Sequence, residues 1–428
     1  MLSLYFGWLD CFFYSAEYAQ IQGVDYFAVP KSYLNLVEGK SAFDTWGGAK
    51  YGPYATWYLA HPAFSVFVAS WFSFFSAWTS YWLFVFFSIG IMSYAAFLFS
   101  KSISGKLNRQ LVYFIMLCSF PVYWMLYVGN MHAPLVLALS LIFLGVLEEI
   151  NGENDNRLNK KLFFGLLISF FSKPIVLLML PVLLLVKETR KTTFYSLLIY
   201  GFVSFMFIVV PALNPEAVGL NKLMNVVFDF DYIKSSMNIY KNNFVLNEYM
   251  KDNSIHWLNL IAQSDYKLLH VDVFSLPVFI DTLIGKEVSA FYFKMPIYLT
   301  LLLSFFVPFI ANKKSRIIFL LMLLMAISLT FFLSYNTVWE YQFASVLPVI
   351  ATLIILKEKN LLQKRELNFL IVIGCLVCLP TLYFLVDATK IELVSTLTLI
   401  RFLKVVPVLV LFLVIVYGLL KQVLNVKR

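Results

Sequence analysis

Residues 313–334 read KKSRIIFLLMLLMAISLTFFLS, a basic connection followed by an uncharged apolar run. A helix of about twenty apolar residues crosses a hydrocarbon core of about 30 Å. Similar runs recur along the 428-residue chain, at 57–75, 81–99, 111–127, 131–147, 162–186, 194–213, 290–311, 317–334, 340–356, 367–386 and 398–420. The sequence therefore predicts an all-α polytopic membrane protein, with about eleven to twelve transmembrane helices in a single integral membrane domain over residues 1–428.

The composition supports this class. The chain is 61% hydrophobic and 13% charged, and its mean hydropathy is +0.80. These values are too apolar for a soluble fold. The formal net charge of +9 does not indicate a nucleic-acid partner, because the cations cluster between apolar runs. The expected surroundings are a lipid bilayer.

The basic connections assign the sides of the membrane. Short cytoplasmic loops are enriched in Lys and Arg, and six connections fit that rule. They carry Lys101/Lys106/Arg109, Arg157/Lys160/Lys161, Lys187/Arg190/Lys191, Lys313/Lys314/Arg316, Lys357/Lys359/Lys364/Arg365 and Lys421/Lys427/Arg428. All six are therefore predicted to be cytoplasmic.

The run at 162–186 lies between two of these connections, so it must enter the membrane and return. Lys173-Pro174 falls at its midpoint, and the residue before a proline is pushed out of helical geometry. We expect a helical hairpin whose two halves each reach about 16 Å into the bilayer.

The first part of the chain is ambiguous in topology. Residues 1–15 are apolar and predict a short first membrane helix with no cleaved signal peptide. The run at 57–75 either spans the membrane or lies along its outer surface as an interfacial helix. The preceding polar segment carries Asp25, and a carboxylate near hydrocarbon is a functional candidate.

Residues 214–289 form the longest polar stretch and are predicted to lie outside, as a lid or acceptor-binding loop. No Walker loop, dinucleotide glycine pattern or metal-spaced His/Cys cluster occurs in the sequence. This absence counts against nucleotide-driven pumps, and nothing in the spacing of the acids demands a metal or a cofactor.

Several short motifs, in order along the chain, resemble glycosyltransferase family 87. They are Gly23-Val24-Asp25-Tyr26, Gly39-Lys40-Ser41-Ala42-Phe43-Asp44, Tyr51-Gly52-Pro53-Tyr54, His61-Pro62, Gly129-Asn130, Ser172-Lys173-Pro174, Asn253-Ser254-Ile255 and Val338-Trp339-Glu340-Tyr341. The chain departs from the family pattern at Gly52, where the family has a proline, and at Tyr341-Gln342, where many members have histidines.

The resemblance implies the C-type glycosyltransferase architecture, with interfacial helices in a first extracytoplasmic loop over 16–80. It implies transfer of a hexose, most often mannose, from a polyprenyl-phosphate donor to a hydroxyl of a lipid-linked or cell-surface glycan. Asp25 matches the family's catalytic aspartate and would be the general base, on the extracytoplasmic side of the plasma (inner) membrane. Asp44 is the next candidate, and a turn-forming Asp25 is the alternative.

Three cations are candidates for the donor phosphate. Lys173 at the hairpin tip could stabilise the negative charge that grows on the leaving phosphate. Alternatively it reaches the interface or pairs with a buried acid such as Glu340. Arg401 and Lys404 share one helix face near the outer end of the last span, where they could bind phosphate or extend their charged ends to the interface.

The remaining candidates for sugar or acceptor contact are Tyr26, Asp44, Tyr51, Tyr54, His61, Asn130, Asn253, Trp339 and Glu340. Glu340 beside Trp339 could bind sugar hydroxyls, or it could be a helix-start acid next to an aromatic belt residue. Asn130 most simply caps its helix. As alternatives to substrate contact, Asn253 could form a turn, and His61 could fill space at the membrane interface.

Two other function classes remain open. An O-antigen-type polysaccharide polymerase or ligase would share the many spans and the long outer loop. It should carry arginines in that loop, whereas residues 214–289 contain lysines and no arginine. A lipid or sugar transporter should show inverted repeats and polar residues along several spans, and neither is evident in the sequence.

Overall fold

The computed structural model describes residues 2–6, 22–38, 42, 50–54, 60–150, 157–209, 274–285, 288–335, 338–362, 364–381 and 393–426. These ranges contain helices and no strand. The α-helices are α1 (Leu2–Phe6), α2 (Ala28–Val37), α3 (Pro62–Ser73), α4 (Ala77–Lys101), α5 (Lys106–Cys118), α6 (Phe120–Val128), α7 (His132–Glu148), α8 (Lys160–Ser172), α9 (Leu180–Leu185), α10 (Lys187–Ser204), α11 (Leu276–Ile284), α12 (Ala290–Phe293), α13 (Met295–Ser304), α14 (Lys313–Ser334), α15 (Leu347–Glu358), α16 (Lys364–Leu376) and α17 (Leu393–Val426). Short 3-10 helices cover Pro174–Met179, Val307–Phe309 and Glu340–Val346, and π-helical turns cover Ser65–Ala69 within α3 and Phe205–Val209 after α10.

Six helical segments of the described chain are long and apolar enough to cross a bilayer. They are Ala77–Ser100, Lys106–Val128, Phe291–Phe309, Lys313–Ser334, Glu340–Glu358 and Thr398–Leu424. Each coincides with an apolar run predicted from the sequence, which confirms the all-α polytopic membrane class. The remaining predicted runs form shorter or broken helices or extend beyond the described residues, so the total of eleven to twelve spans stays a prediction.

Large apolar side chains face outwards from the bundle. Phe86 on α4 is 60% exposed, and Trp71 on α3 is 70% exposed. Monomeric soluble proteins rarely expose contiguous apolar surface on this scale. The outer surface therefore suits contact with lipid.

Helix α3 has too few residues to cross the membrane. It covers Pro62–Ser73, which at 1.5 Å per residue is about 18 Å. It packs against α2, where the hydroxyls of Ser32 and Ser65 lie 2.7 Å apart. Its length argues against a full span over residues 57–75, and its position along the membrane surface stays a prediction.

The segment between α8 and α10 runs out and back. The backbone N of Asn159 lies 3.1 Å from Thr192 Oγ1 at one end. At the other end, the rings of Phe170 and Tyr200 are 4.7 Å apart. Helices α8 and α10 therefore run in the same direction, and the chain between them must return. This is the path expected of a hairpin over 162–186.

One end of the bundle gathers the basic connections. There Lys161 pairs with Glu148, and Arg316 pairs with Glu188. Helix α14 starts at this end and the antiparallel α15 returns to it, where Glu358 accepts a hydrogen bond from the backbone N–H of Gly105. Glu148 is the last residue of α7, so the first residue, His132, lies at the opposite end of the bundle. The residues immediately before α7 therefore lie at that opposite end too.

Candidate functional site

A glycine-capped turn ends α6. Gly129 has φ +71°, and its N–H donates to the Leu126 carbonyl at 3.2 Å while the Asn130 N–H donates to the Met125 carbonyl at 3.0 Å. This pair of bonds is the Schellman motif, in which the glycine adopts the left-handed conformation. The motif fixes the backbone of Asn130 directly after the helix.

The turn at residues 22–27 docks on the same helix end. Gly23 N–H donates to the Tyr127 carbonyl at 2.8 Å, and Asp25 N–H donates to the Val128 carbonyl at 2.9 Å. These carbonyls lie at the C-terminus of α6, where they have no partner within the helix. The docking brings Asp25 beside Asn130, whose Nδ2 donates to Asp25 Oδ2 at 2.6 Å.

Lys173 sits at the break of the out-and-back segment. Helix α8 ends at Ser172, and Lys173 has extended backbone geometry, φ −142° and ψ 109°. Pro174 disfavours helical geometry at the residue before it. Ser169 Oγ donates to the Lys173 carbonyl at 2.7 Å, which satisfies a backbone group released by the break.

The Lys173 side chain turns into the protein and joins Asn130. Lys173 is 7% exposed. Its Nζ donates to Asn130 Oδ1 at 2.8 Å and lies 2.8 Å from His132 Nδ1. The Tyr341 ring centroid is 5.5 Å from Nζ, within the range of a cation–π contact. An ammonium has three N–H donors, so one is left after Asn130 and His132.

Asn130 does not cap α7, and the capping interpretation is wrong. The N-cap of α7 is Met131, without a side-chain cap hydrogen bond. Both halves of the Asn130 amide are used elsewhere, the NH2 group toward Asp25 and the carbonyl toward Lys173. The charges fix this orientation, because a carboxylate accepts and an ammonium donates.

The carboxyl group of Asp25 is buried, although the residue as a whole is partly exposed. Burial raises its pKa above the ordinary value of 3.8, and the Asn130 hydrogen bond and the Lys173 charge offset part of that rise. Side chains of the described residues bond only Oδ2. The site thus combines a carboxylate with an open oxygen and an ammonium with an open N–H, separated by one amide.

His132 is the residue of this cluster that the sequence did not single out. It is fully buried, and its ring meets that of Tyr341 edge-on at 5.6 Å. Because Nδ1 accepts from Lys173, the proton of the neutral ring is on Nε2, which has no hydrogen-bond partner within the described residues. The only signal in the sequence was its position two residues after Asn130.

Glu340 and Lys404 form a second buried cluster. Lys404 Nζ lies 2.8 Å from Glu340 Oε1 and donates to the carbonyls of Leu379 and Val377. Thr381 donates to the same Glu340 oxygen. Glu340 is 0% exposed. The expected alternative that Lys173 pairs with Glu340 is therefore wrong, whereas Glu340 does start a helix, the 3-10 helix Glu340–Val346.

In the second cluster, all three N–H groups of Lys404 are donated to acceptors within the bundle. Arg401 is fully buried, and it donates a hydrogen bond to Thr282. Neither side chain extends to the interface, so the snorkelling interpretation is wrong for both. Their assignment to the donor phosphate stays a prediction. The geometry favours a structural role for Lys404, because phosphate would have to displace one of its acceptors.

An apolar groove borders the second cluster between α16 and α17. Its volume is about 400 Å³, and Lys404 and Thr381 are its polar lining residues. Its apolar walls include Leu376, Leu379, Phe402, Leu403, Val406 and Pro407. The two clusters meet at adjacent residues, since Glu340 contacts Lys404 and Tyr341 contacts Lys173.

The other predicted contact residues of the first loop have packing roles. Tyr26 is fully buried and its hydroxyl bonds Ser80, so it belongs to the core. The Tyr51 hydroxyl donates to the Phe75 carbonyl at 2.8 Å. The Tyr54 ring packs against Phe27 at 6.0 Å.

His61 lies near the out-and-back segment but outside the Lys173 contacts. Its Nδ1 accepts from Ala63 N–H at 3.1 Å, which makes it the cap of α3, and its Nε2 is 3.2 Å from Ser204 Oγ. Burial lowers the pKa of His61 to about 3. Trp339 is partly exposed, and its backbone N–H donates to Gln342 Oε1 at 3.0 Å.

Two predicted site residues, Asp44 and Asn253, lie outside the described residues, as does most of the stretch 214–289. Among the described residues, no group of three or more His, Cys, Asp or Glu is placed to hold a metal ion. The expectations of a metal-free reaction and of an outer acceptor loop remain predictions.

The close contact at Gly129 gives a stability prediction. A Cβ there would lie 2.4 Å from Tyr26 Cβ, in addition to the positive φ. Gly129→Ala should therefore lower the free energy of unfolding by at least about 1–3 kcal/mol, measured as a lower melting temperature in detergent. Gly201→Ala is the matched control, because nothing lies within 4 Å of its added Cβ. Equal melting of the two variants would contradict the proposed tight turn.

No family model, curated protein or solved structure matches this chain. The functional interpretation therefore rests on the chemistry of the Asp25, Asn130, Lys173 and His132 cluster and on the sequence motifs.

Proposed function

We propose that this membrane protein is a glycosyltransferase that moves a hexose, mannose by resemblance, from a polyprenyl-phosphate donor to a hydroxyl of a lipid-linked or cell-surface glycan. One observation carries the proposal. Asn130 joins a carboxylate and an ammonium through hydrogen bonds of 2.6 Å to Asp25 and 2.8 Å from Lys173. The two charged groups needed for such a transfer are thus close together, and neither uses a hydrogen bond on the other.

The reaction assigns one role to each charge. Asp25 takes the proton of the acceptor hydroxyl as that oxygen forms its bond to the anomeric carbon, which contributes about 10² to 10⁴-fold in rate. The bond from that carbon to the phosphate oxygen breaks, and its electron pair goes to the phosphate. Lys173 stabilises the resulting negative charge with its remaining N–H. The lipid phosphate and the protonated Asp25 are left at the end of the step.

The apolar groove beside the second cluster supports a donor with a prenyl chain. Its walls are aliphatic and aromatic, and it borders Thr381 and Lys404 next to the Glu340–Tyr341 pair that contacts Lys173. A prenyl chain has only apolar surface to bury, so such a groove suits it. This placement supports a lipid-linked donor over a water-soluble one.

Charge supports an extracytoplasmic reaction at the plasma (inner) membrane. The basic connections gather at one end of the bundle, with Lys161 and Arg316 among them, and cytoplasmic loops carry the excess of Lys and Arg. Asp25 and Lys173 belong to the opposite end. A lipid-linked sugar, rather than a cytosolic nucleotide sugar, is the activated donor suited to that side.

The enclosure of Asp25 predicts the pH dependence of the reaction. The base must be ionised, and burial raises its pKa above 3.8. The value of kcat/KM should therefore fall as the pH is lowered through a pKa above the ordinary range of an aspartate, and it should be constant above that pKa until another group titrates. A pH–rate profile of the purified protein measures this. An acidic limb at or below pH 3.8 would contradict an enclosed base.

The function is tested with purified protein in lipid nanodiscs. Labelled polyprenyl-phosphate mannose, polyprenyl-phosphate glucose and the corresponding nucleotide sugars are each supplied with a lipid-linked glycan acceptor. We expect label in the acceptor only with a polyprenyl-phosphate donor. Transfer from the nucleotide sugars alone, or none from any lipid-linked donor, would contradict the proposal.

Sidedness is tested by cysteine labelling in intact cells, with the native cysteines replaced. Pro53 and Lys106 are both exposed, near the Asp25 end and at the basic end respectively. A membrane-impermeant maleimide should label Pro53→Cys and spare Lys106→Cys. The reverse pattern would place Asp25 in the cytosol.

Transport is a second candidate, favoured by the buried Glu340–Lys404 pair next to the groove. Charged groups inside a membrane bundle mark ion or substrate pathways in many transporters. Flux of labelled lipid-linked sugar across proteoliposomes, without transfer to an acceptor, would support transport instead of glycosyl transfer.

A further inference from the structure

Asp25 and Lys173 are opposite charges that do not touch. Asn130 occupies the position between them, with its Nδ2 2.6 Å from Asp25 Oδ2 and its Oδ1 2.8 Å from Lys173 Nζ. In an enclosed site, water screens their attraction poorly. Lysine also has a long, flexible side chain. A direct ion pair is therefore the arrangement expected if nothing stood between them.

A direct ion pair would remove what the site needs. The ammonium would use its open N–H on the carboxylate, and the carboxylate would be a weaker base beside a touching cation. In the observed arrangement Asp25 keeps an oxygen without a side-chain hydrogen bond from the described residues. Lys173 keeps one N–H after its contacts with Asn130 and His132. Separation preserves both functions at once.

The structure holds Asn130 firmly enough to maintain that separation. Its backbone N–H is bonded to the Met125 carbonyl at 3.0 Å, as part of the turn at Gly129. Its amide cannot flip without placing the NH2 group against the ammonium. His132 Nδ1 also accepts from Lys173, which gives the ammonium a second neutral partner beside Asn130.

We propose that Asn130 is a positioning residue whose amide keeps Asp25 and Lys173 apart, so that each can act on its own substrate group. This rests on the proposed function for the meaning of the separation, but the separation itself can be measured without any substrate. Of the two interpretations of Asn130 from the sequence, the helix cap is wrong, and the substrate contact stays a prediction.

The test follows the protonation of Asp25 with a hydrophobic carbodiimide, which reacts with protonated carboxyl groups. Labelling is measured by peptide mass spectrometry over a range of pH in the wild type, Asn130→Leu and the double variant Asn130→Leu/Lys173→Met. The titratable groups around Asp25 are Lys173 across the amide, His132 and Tyr341 in contact with Lys173, and Tyr81 and Tyr127 of the helices beneath. These are the same in the wild type and Asn130→Leu.

The direction of the shift decides the outcome. If Asn130 only donates a hydrogen bond, its loss raises the labelling midpoint, because that bond favours the charged carboxylate. If it also separates the charges, Lys173 moves onto Asp25 in Asn130→Leu and the midpoint falls below that of the wild type. The double variant lacks the cation, so its midpoint should rise above that of the wild type.

A raised or unchanged midpoint in Asn130→Leu would overturn the proposal. Only protein that elutes as a single species in detergent is labelled, and if Asn130→Leu fails that criterion, Asn130→Ala is used with the same expected direction. The result does not depend on sugar transfer. A lowered midpoint in a protein with no transferase activity would therefore support the separation while contradicting the proposed function.

Discussion

A Lys173→Met variant should transfer sugar about 10² to 10³ times more slowly than the wild type. Methionine matches the length of the lysine stem but carries no charge, so the leaving phosphate loses its donor. The change also removes the cation that lowers the pKa of Asp25, which leaves less of the base ionised. Initial rates with labelled polyprenyl-phosphate mannose in nanodiscs measure the effect.

Lys31→Met is the matched control for a buried lysine. Lys31 is 6% exposed on α2, and the hydrogen bonds that join Asp25, Asn130, Lys173 and His132 do not include it. It should retain the wild-type rate at equal expression. Equal losses in the two variants would mean that any buried lysine is needed for folding, and no loss in Lys173→Met would remove Lys173 from the reaction.

An Asp25→Asn variant should lose about 10² to 10⁴-fold in transfer rate. The amide has nearly the same shape, and its carbonyl can still accept the hydrogen bond from Asn130. It cannot take a proton from the acceptor hydroxyl. Because packing is preserved, the loss should appear in kcat with little change in melting temperature. The measurement is steady-state kinetics with the same donor.

Asp281→Asn is the corresponding control for a buried aspartate. Asp281 is 3% exposed, and its Oδ1 accepts from the Val288 N–H at 2.8 Å, a bond that an amide carbonyl can keep. It should transfer sugar at the wild-type rate. If Asp25→Asn were as active as this control, the base would have to be another group.

Much of the fold follows from patterns that act over short stretches of sequence. Run length places spans such as 317–334, because crossing a hydrocarbon core fixes the number of apolar residues. The break at Lys173 follows from Pro174, whose ring excludes helical geometry at the preceding residue. Basic connections such as 313–316 could be grouped because charge sorts loops by side.

The site was harder to predict because its contacts join distant parts of the chain. Asp25 and Asn130 are 105 positions apart, and their contact depends on a turn docked against the end of α6. Because Asn130 precedes a helix, the sequence suggested a cap. In the structure Asn130 instead follows Gly129, the C-cap of α6, and its N–H is bonded to the Met125 carbonyl. His132 carries no motif of its own, and only the folded position of Lys173 shows its role.

The charged residues near the last span illustrate the same limit. Arg401 and Lys404 share a helix face, as their spacing predicts. Spacing cannot show what faces them, and Lys404 meets Glu340 from another helix. Because these charges stand in an apolar run, the sequence suggested that their side chains extend to the membrane interface. The buried partner changes that interpretation, because a paired charge can remain in the bundle.

The most direct test of the divided roles of Asp25 and Lys173 is the dissociation constant of polyprenyl phosphate, the leaving group, for the wild type, Asp25→Asn and Lys173→Met in nanodiscs. A charge-assisted hydrogen bond is worth about 1.5–3 kcal/mol, or about 10- to 100-fold in affinity. We expect Lys173→Met to bind the phosphate more weakly by that factor and Asp25→Asn to bind it as well as the wild type. Equal affinity in all three proteins would contradict the placement of the donor phosphate at Lys173.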